Sequence, residues 1–375
     1  MAVLNEEQTM LRDAAKGWAQ ESSPVAKLRA LRDSGSKQDF DPAAWAEMGQ
    51  MGWAGVLVPE EFGGSAFGYL GLGLILEETG RTLTASPLLS TAMVGASALI
   101  LGGSDAQKAE WLPKIAEGSV VTALAVDETA HHAPERIALK AAKAGDGWSL
   151  TGKKTFVVDG DAADLLIVAA RSGGKPGETA GISLFLVDAK AAGVTRRHLA
   201  LTDSRGAAEI TFDGAKGELL GEADKGWDLL EGVLDRARIG AAAEMLGAAL
   251  QSFEITLEYL KTRTQFGQLI GAFQSLQHRA AKMFTDLEMT RSCIEAALEG
   301  LDAGGSDNRA AASLAKAKAS ELAHLVSNEM VQMHGGIGMT DVHDSGLYLK
   351  RARVAEALYG GASYHRDRYA KVIGF

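Results

Sequence analysis

The chain has 375 residues, which is too long for one ordinary hydrophobic core and predicts two or three domains. Hydrophobic residues make up 46% of the chain and aromatic residues only 6%, a composition that suits closely packed helices. The formal net charge of −10 argues against a nucleic-acid partner, which would require a basic surface.

Several further classes of protein are excluded by simple patterns. No apolar run reaches the length of a membrane span, and the first residues do not follow the basic-then-apolar order of a signal peptide. The single cysteine, Cys293, lies in a helical pattern among apolar neighbours, so we expect a core residue and no internal disulfide. We therefore expect a soluble, cytoplasmic protein without a metal site.

Residues 1–119 predict helices joined by turns. Asn5-Glu-Glu-Gln8 is typical of a helix start, with a capping residue and an acidic first turn. Residues 33–37 are polar and predict a loop, and the apolar run 51–64 ends in a turn of proline and glycine. A helix is predicted at 69–78 in spite of its glycines, which close approach of another helix or of a ligand would explain equally well.

From residue 120 the apolar pattern changes to that of short strands. Asp146-Gly147 is typical of a hairpin turn, and no alternation of strands with helices is found. The glycines after Gln332 follow a helix and not a strand, so the nucleotide-binding fingerprint of a doubly wound fold is absent. The predicted strands are 120–126, 148–151, 154–158, 165–169, 182–187 and 208–212.

After residue 225 the pattern is helical again. Long helices with short connections predict a four-helix bundle, and its clearest break, 304–308, offers Ser306 or Asp307 as a helix cap. The predicted helices are 227–261, 274–300, 308–333 and 344–357. The predicted fold is α+β but mainly α, with an N-terminal helical domain at 1–119, a middle antiparallel β domain at 120–215 and a C-terminal bundle at 225–375.

Arg263-Thr-Gln-Phe-Gly267 lies between two of these long helices, where the chain turns. The planar guanidinium of Arg263 matches the oxygens of a diphosphate, although a lone arginine at a helix end is more often simply solvated. Together with Gln274 and the later segment Gln332-Met-His-Gly-Gly-Ile-Gly338, this stretch resembles the acyl-CoA dehydrogenase family. Pro59-Glu-Glu-Phe-Gly-Gly64 is similar to a signature of the N-terminal domain of that family.

The resemblance covers nearly the whole chain and implies a flavoprotein. In the family a base removes the proton α to an acyl-CoA thioester, and hydride passes from the β carbon to FAD. The two segments quoted above hold the FAD that is bound mainly to the neighbouring subunit. The resemblance therefore implies FAD-binding roles for Arg263, Gln265, Phe266, Gln274, Gln332, Gly335 and Gly336. His334 lies in this group, but we expect it to be a packed or hydrogen-bonded residue.

The catalytic base is missing from both positions at which the family places it. Most members have the glutamate of a Tyr-Glu-Gly-Thr motif, and the matching segment, Leu358-Tyr-Gly-Gly-Ala-Ser363, has Gly360 there. A minority place a glutamate before an arginine in the first long helix, and here Ala237 precedes Arg238. Neither Gly360 nor Ala237 can remove a proton.

Two other carboxylates lie near these positions in the sequence. Asp235 resembles a family residue that contacts substrate, and the resemblance gives Arg238 a substrate-binding role as well. Glu244 lies about 10 Å along the helix from Ala237, too far to act on the same α carbon. We interpret both acids as ordinary solvated or capping residues, and the catalytic base stays unassigned.

The residues that would hold the chain's own flavin are also altered. The family's Thr-Glu-Pro-x-x-Gly-Ser-Asp loop reads Asp127-Glu-Thr-Ala-His-His-Ala-Pro134. The segment that backs the flavin ring keeps an aromatic residue, Phe156, but has Val158 in place of a hydroxyl. Past Gly361 the usual threonine is Ala362, and the next polar residue that could make a contact is Tyr364.

This asymmetry is similar to that of small subunits of heteromeric acyl-CoA dehydrogenases, as is the ending Tyr364-His-Arg-Asp-Arg-Tyr369. It implies a dimer or tetramer with a homologous larger subunit that acts on an acyl-CoA thioester. A self-sufficient homo-oligomeric dehydrogenase with a non-standard base, or a non-catalytic CoA- or flavin-binding scaffold, are the alternatives. A surplus of small and apolar residues on two bundle helices predicts the interface: Ala280, Ala281, Met283, Ala311, Ala312, Leu314, Ala315, Ala317 and Ala319.

Overall fold

The computed structural model describes residues 4–35, 40–145, 147–304 and 308–375. The predicted turn residue Asp146, the predicted caps Ser306 and Asp307, and residues 36–37 of the predicted loop lie outside these ranges. The described residues fall into two compact units. One unit contains Met1–Ala30, Gly73–Thr84 and Arg238–Phe375, and the other contains Leu31–Leu72 and Ala85–Ala237.

Helices make up the N-terminal part of the chain, as predicted. Helix α1 starts with a capping box, because Asn5 Oδ1 accepts from the Gln8 amide at 2.8 Å and Gln8 Oε1 accepts from the Asn5 amide at 3.0 Å. A π-helical turn, Leu89–Gly95, leads into α5. The helices are α1 Glu6–Ser22, α2 Val25–Asp33, α3 Pro42–Gln50, α4 Tyr69–Arg81, α5 Ala96–Gly102 and α6 Asp105–Ala116.

The glycines of α4 are explained by close helix packing. A Cβ built on Gly73 would overlap the side chain of Leu298, and one built on Gly80 would overlap the backbone carbonyl of Glu244. Where α4 crosses the long helix that contains Glu244, Gly247 in turn lies against the carbonyl of Glu77. Of the two explanations that the sequence left open, helix approach therefore accounts for Gly73.

Seven strands form the β-sheet of the second unit. The pairings β4–β5, β5–β7, β7–β3, β3–β2 and β2–β4 close on themselves, with β1 added to β4 and β6 to β7. Most pairs are antiparallel as predicted, but β4 pairs in parallel with β1 and, through one residue pair, with β2. The strands are β1 Thr122–Ala125, β2 Lys140–Ala144, β3 Gly147–Val158, β4 Leu165–Arg171, β5 Ile182–Asp188, β6 Val194–Ala200 and β7 Gly206–Leu220.

Two strands of this sheet were not predicted from the sequence, and two of the predicted strands form one continuous strand. The segments 148–151 and 154–158 both belong to β3, whose pairing with β7 is regular between them and has irregularities at Leu150/Thr151 and at Lys154/Val157. Strands β2 and β6 were not predicted because their lysine, arginine and alanine residues show no alternation of apolar with polar side chains. The interior of the sheet holds Leu150, Val168, Phe185, Ile210 and Phe212, all at most 1% exposed.

The C-terminal part is helical, and the four predicted helices agree with the structure to within two residues. Helix α9 packs against α8, α10 and a further helix, α11, which was not predicted. The elements are α7 Trp227–Thr262, β8 Thr264–Gln265, β9 Gln268–Leu269, α8 Gln274–Asp302, α9 Arg309–His334, α10 Ser345–Ala357 and α11 Ala362–Val372. Among the described residues, no helix is both long and apolar enough to cross a membrane.

Two expectations about this bundle are wrong. Cys293 is only partly buried on α8 and is not a core residue. Most of the small residues assigned to an interface are already buried within the chain, because α9 is surrounded by three helices: Ala280, Met283, Ala312, Ala315, Ala317 and Ala319. The exposed apolar side chains of α8 and α9 are instead Phe284, Met289 and Leu314.

Candidate functional site

The stretch after α7 forms a two-residue β-hairpin, β8–β9, closed by Phe266 and Gly267. Both turn residues have positive φ, 54° and 80°, which is the geometry of a type I′ turn and the reason that glycine is suited to the second position. The turn leaves the Phe266 ring 90% exposed, with its edge towards Phe273 at a centroid distance of 6.1 Å. Arg263 and Gln265 are also exposed.

The second segment follows α9. Gln332 is exposed on the last turn of α9, and Gly335 ends the helix with φ 62° and ψ −133°. A Cβ built on Gly335 or Gly336 would meet no atom of the described chain within 4 Å. The backbone is therefore open to close approach from outside. All seven residues that the resemblance assigns to FAD are exposed, including Gln274 at the start of α8.

Three aromatic rings pack together where the end of α9 meets the last turn of α7. The His334 ring lies 4.4 Å from Tyr259 on α7 and 4.3 Å from His343, measured between centroids. His334 Nδ1 donates to the Met330 carbonyl at 2.7 Å. Burial lowers the pKa of His334, so the ring stays neutral at neutral pH. The expectation that His334 is packed and hydrogen-bonded is confirmed.

In the second unit, Phe156 lies at the irregularity of β3. Its φ of 50° turns the strand locally, and its ring is 46% exposed. The neighbouring Val158 carries no polar atom. An aromatic face is thus available beside this strand, but the side chain of Val158 offers no hydroxyl.

The loop 127–134 is closed by its own contacts. His132 Nδ1 pairs with Asp127 Oδ1 at 2.9 Å. The Glu128 carboxylate accepts from the amides of Ala138 and Leu139, each at 2.9 Å, and from Lys154 Nζ at 2.7 Å. These side chains therefore tie the loop to β3 and to the chain before β2.

Lys154 was not singled out in the sequence, although it anchors this loop. It is fully buried, and its Nζ also donates to the Val126 carbonyl at 2.8 Å. Burial lowers the pKa of this lysine, and the nearby Glu128 carboxylate partly offsets the shift. A lysine inside an alternating strand was the signal that could have identified it.

Both positions at which the family places a base are buried here. Ala237 is 0% exposed on α7. Gly360 is buried between α10 and α11, with φ 104°. Arg238, expected to bind substrate, is also 0% exposed, and it donates from Nε to the Tyr359 carbonyl at 3.4 Å and from Nη2 to Tyr364 Oη at 3.3 Å. These bonds of Arg238 hold the chain's own C-terminal segment.

The interpretation of Asp235 and Glu244 as solvated or capping acids is wrong. Asp235 is 4% exposed and Glu244 is 6% exposed. Glu244 Oε1 accepts from Arg351 Nε at 3.0 Å and Nη2 at 2.9 Å, because α10 brings the arginine against the middle of α7. A buried carboxylate held in this way is a structural pair and not a free base.

A second buried lysine, Lys316 on α9, was also missed. Its Nζ donates to the carbonyls of Ala355 and Glu356 at 3.1 Å and of Gly360 at 3.2 Å. Burial lowers its pKa to about 7. The ammonium satisfies carbonyls at the end of α10, and it fixes the backbone at Gly360. No cluster of three metal-ligating side chains occurs in the part of the chain that the structure describes.

Comparison with known proteins agrees with this geometry. Family models match the acyl-CoA dehydrogenase N-terminal domain at residues 5–119, middle domain at 125–215 and C-terminal domain at 224–374. Mitochondrial isovaleryl-CoA dehydrogenase of Pongo abelii is 31% identical, over 97% of this chain and 88% of that protein.

Two similar solved structures are each named after a pair of proteins. The Tcur3481-Tcur3483 steroid ACAD has a TM-score of 0.89 and 32% identity, with 98% of each chain covered. The ChsE4-ChsE5 complex from Mycobacterium tuberculosis has a TM-score of 0.90 and 26% identity, over 100% of this chain and 99% of that one. The chain belongs to the acyl-CoA dehydrogenase family, a family of oxidoreductases whose cofactor is FAD, and the predicted fold is confirmed.

Proposed function

We propose that this chain is the subunit of a heteromeric acyl-CoA dehydrogenase that completes the FAD site of a homologous larger subunit and supplies no base of its own. The observation that carries the proposal is a contrast within the chain. The residues that would reach a neighbour's FAD are exposed, whereas both base positions are buried and hold no acid.

The exposed segments fit a dinucleotide. Arg263 offers a charged, planar donor, and Gln265, Gln274 and Gln332 offer amides that can both donate and accept. Gly335 and the following glycine leave their backbone open on the side where a Cβ would otherwise stand. When bound, FAD would accept the hydride from the substrate β carbon.

The residues on the chain's own flavin side fit less well. Phe156 supplies an exposed ring, but the carboxylates of Asp127 and Glu128 are engaged within the loop itself. Negative charge there would also repel the flavin diphosphate. This side of the chain favours incomplete retention of its own FAD.

The remaining parts of the proposal follow from the family. The substrate is an acyl-CoA thioester, Asp235 and Arg238 lie beside the place that it takes in the family, and the assembly is a dimer or tetramer in the cytoplasm. The domain boundaries 1–119, 120–215 and 225–375 belong to the proposal as well. The two-protein names of the Tcur and ChsE structures support a heteromeric assembly.

Purification from the native cell tests the proposal. We expect a tagged chain to bring down a homologue that carries a glutamate at one of the family's base positions, with fewer FAD molecules than chains in the complex. The chain expressed alone should show no acyl-CoA turnover. One FAD per chain together with turnover by the lone chain would establish a self-sufficient dehydrogenase instead. Flavin binding without any turnover, either alone or with a homologue, would establish a scaffold.

A further inference from the structure

The space beside Gly360 is filled by a side chain from α11. A Cβ built on Gly360 would lie 2.5 Å from Tyr364 Cδ1 and 3.0 Å from its Cε1. The same atom would lie 3.0 Å from His365 Nε2. A real Cβ does not approach a ring carbon at 2.5 Å, so no residue larger than glycine fits while Tyr364 keeps this position.

The tyrosine ring is held there from two sides. The Arg238 guanidinium lies 5.7 Å from the ring centroid, and its Nη2 donates to Tyr364 Oη at 3.3 Å. The His365 ring meets the Tyr364 ring edge-on at a centroid distance of 5.1 Å. Two different elements, α7 and α11, thus fix one ring.

The backbone beside the ring is fixed as well. His365 Nε2 donates to the Tyr359 carbonyl at 3.0 Å, and Lys316 Nζ donates to the Gly360 carbonyl at 3.2 Å. Burial, followed by the charges of Arg238 and Lys316, lowers the pKa of His365 to about 2, so the ring remains a neutral donor. The φ of 104° at Gly360 is itself unfavourable for any residue with a Cβ. A shift of the segment away from the ring would break these bonds.

We propose that Tyr364 occupies the volume of the family's catalytic side chain and closes this chain's own thioester site. The chain then acts on substrate only through the site that it completes on a partner. This inference rests on the proposed function, and it goes further because it names the residue that blocks this chain's own thioester site. It also means that a glutamate introduced at residue 360 does not restore a base while the tyrosine remains.

A double-mutant cycle tests the steric part. Gly360→Ala should lower the melting temperature of the full-length chain by several degrees, and the loss should be clearly smaller in a Tyr364→Ala background. The Tyr364→Phe background keeps the ring, so the full loss should return there. Equal losses in all three backgrounds would show that Tyr364 does not fill the space, and this readout does not depend on activity.

Ligand binding tests the functional part. Equilibrium dialysis with butyryl-CoA and octanoyl-CoA should show no binding to the full-length chain or to Tyr364→Phe, and measurable binding to Tyr364→Ala. Binding to the unaltered chain, or no gain in Tyr364→Ala while its melting transition remains cooperative, would overturn the closure. Turnover by the unaltered chain would refute the proposed function as well as the closure, whereas the steric coupling is measured in either case.

Discussion

At the scale of single residues, this chain has exposed cations and buried cations that differ in their contacts. Arg263 is exposed just before the β8–β9 hairpin, whereas Lys154, Arg238 and Lys316 are 0% exposed and donate to the chain's own carbonyls and side chains. We expect substitution of the exposed Arg263 to weaken cofactor binding, and substitution of a buried cation to lower the stability of the fold.

Arg263→Ala should weaken FAD retention in the assembled complex without lowering the melting temperature of the chain. Loss of a charge-assisted hydrogen bond costs about 1.5–3 kcal/mol, or roughly 10- to 150-fold in the dissociation constant. Flavin absorbance of the purified complex after dilution and gel filtration measures the retention. Lys261→Ala, which removes an exposed cation from the same helix end, is the matched control. Equal flavin occupancy in the two variants would exclude a specific role for Arg263.

Glu77 should make stability depend on pH. Burial raises its pKa from 4.5 to about 7, in spite of Arg291 Nη2 at 3.5 Å from its carboxylate. Because the folded-state pKa lies above the unfolded value, the stabilisation is fully present below about pH 4.5 and is lost as pH rises through 7. Melting temperatures between pH 5 and pH 8 should therefore fall more steeply for the unaltered chain than for Glu77→Gln. The exposed Glu61→Gln should leave the slope unchanged, and an identical slope in Glu77→Gln would contradict the assignment.

At the scale of elements, the bundle is organised by backbone approach at glycine. Helix α4 lies so close to α7 that Gly247 contacts the Glu77 carbonyl and Gly80 contacts the Glu244 carbonyl. Close packing therefore explains glycine at these positions in spite of its low helix propensity, because the crossing has no space for one further methyl group.

A pair of glycine substitutions should have opposite effects on stability. Gly247→Ala should lower the free energy of unfolding by about 1–3 kcal/mol, since its Cβ would overlap the Glu77 carbonyl. Gly346→Ala on α10 should raise it by about 0.5–1 kcal/mol, since its Cβ would meet nothing within 4 Å and alanine favours the helix. Urea denaturation of both variants measures the difference. Equal effects of the two substitutions on the free energy of unfolding would show that α4 and α7 can move apart to accept the added methyl group.

At the scale of the whole molecule, the exposed apolar side chains of α8 and α9 are the best remaining sign of assembly. Phe284 is 56% exposed, Met289 46% and Leu314 38%. Exposed apolar surface can mark an interface, so the face of α8 that carries Phe284 is the one to test. The proposed function gives a second reason, because in that proposal the exposed segments at Arg263 and Gln332 contact the flavin of another chain.

The chain expressed alone should form at least a dimer through this face. Light scattering at micromolar concentration should give twice the monomer mass for the unaltered chain and a smaller mass for Phe284→Glu. Met10→Glu, at a side chain that is 67% exposed on α1, should not change the mass. A stable monomer of the unaltered chain would refute the interface, and dissociation by both variants would show that the effect is not specific to α8.

The order of helical and β segments, the start of α1 and the absence of a glutamate at residues 237 and 360 could all be predicted from the sequence. Helical periodicity and a capping box depend on residues three or four apart, so they can be read locally. The absence of an acid at Gly360 and Ala237 depends only on residue identity, once the matching motif is known. Strands β2 and β6 and helix α11 escaped prediction because their apolar patterns are weak.

The sequence could not show which charges are buried or what they contact, because this depends on how distant segments pack. Glu244 and Arg351 are 107 residues apart, and Lys316 reaches a carbonyl 44 residues away, so no local pattern could pair them. Tyr364 lies only four residues from Gly360, yet its ring fills the space there because of the φ of Gly360 and the hold of Arg238 from another helix. The residues of a motif show that no acid stands at Gly360, whereas packing between distant helices determines that the Tyr364 ring lies in the space beside it.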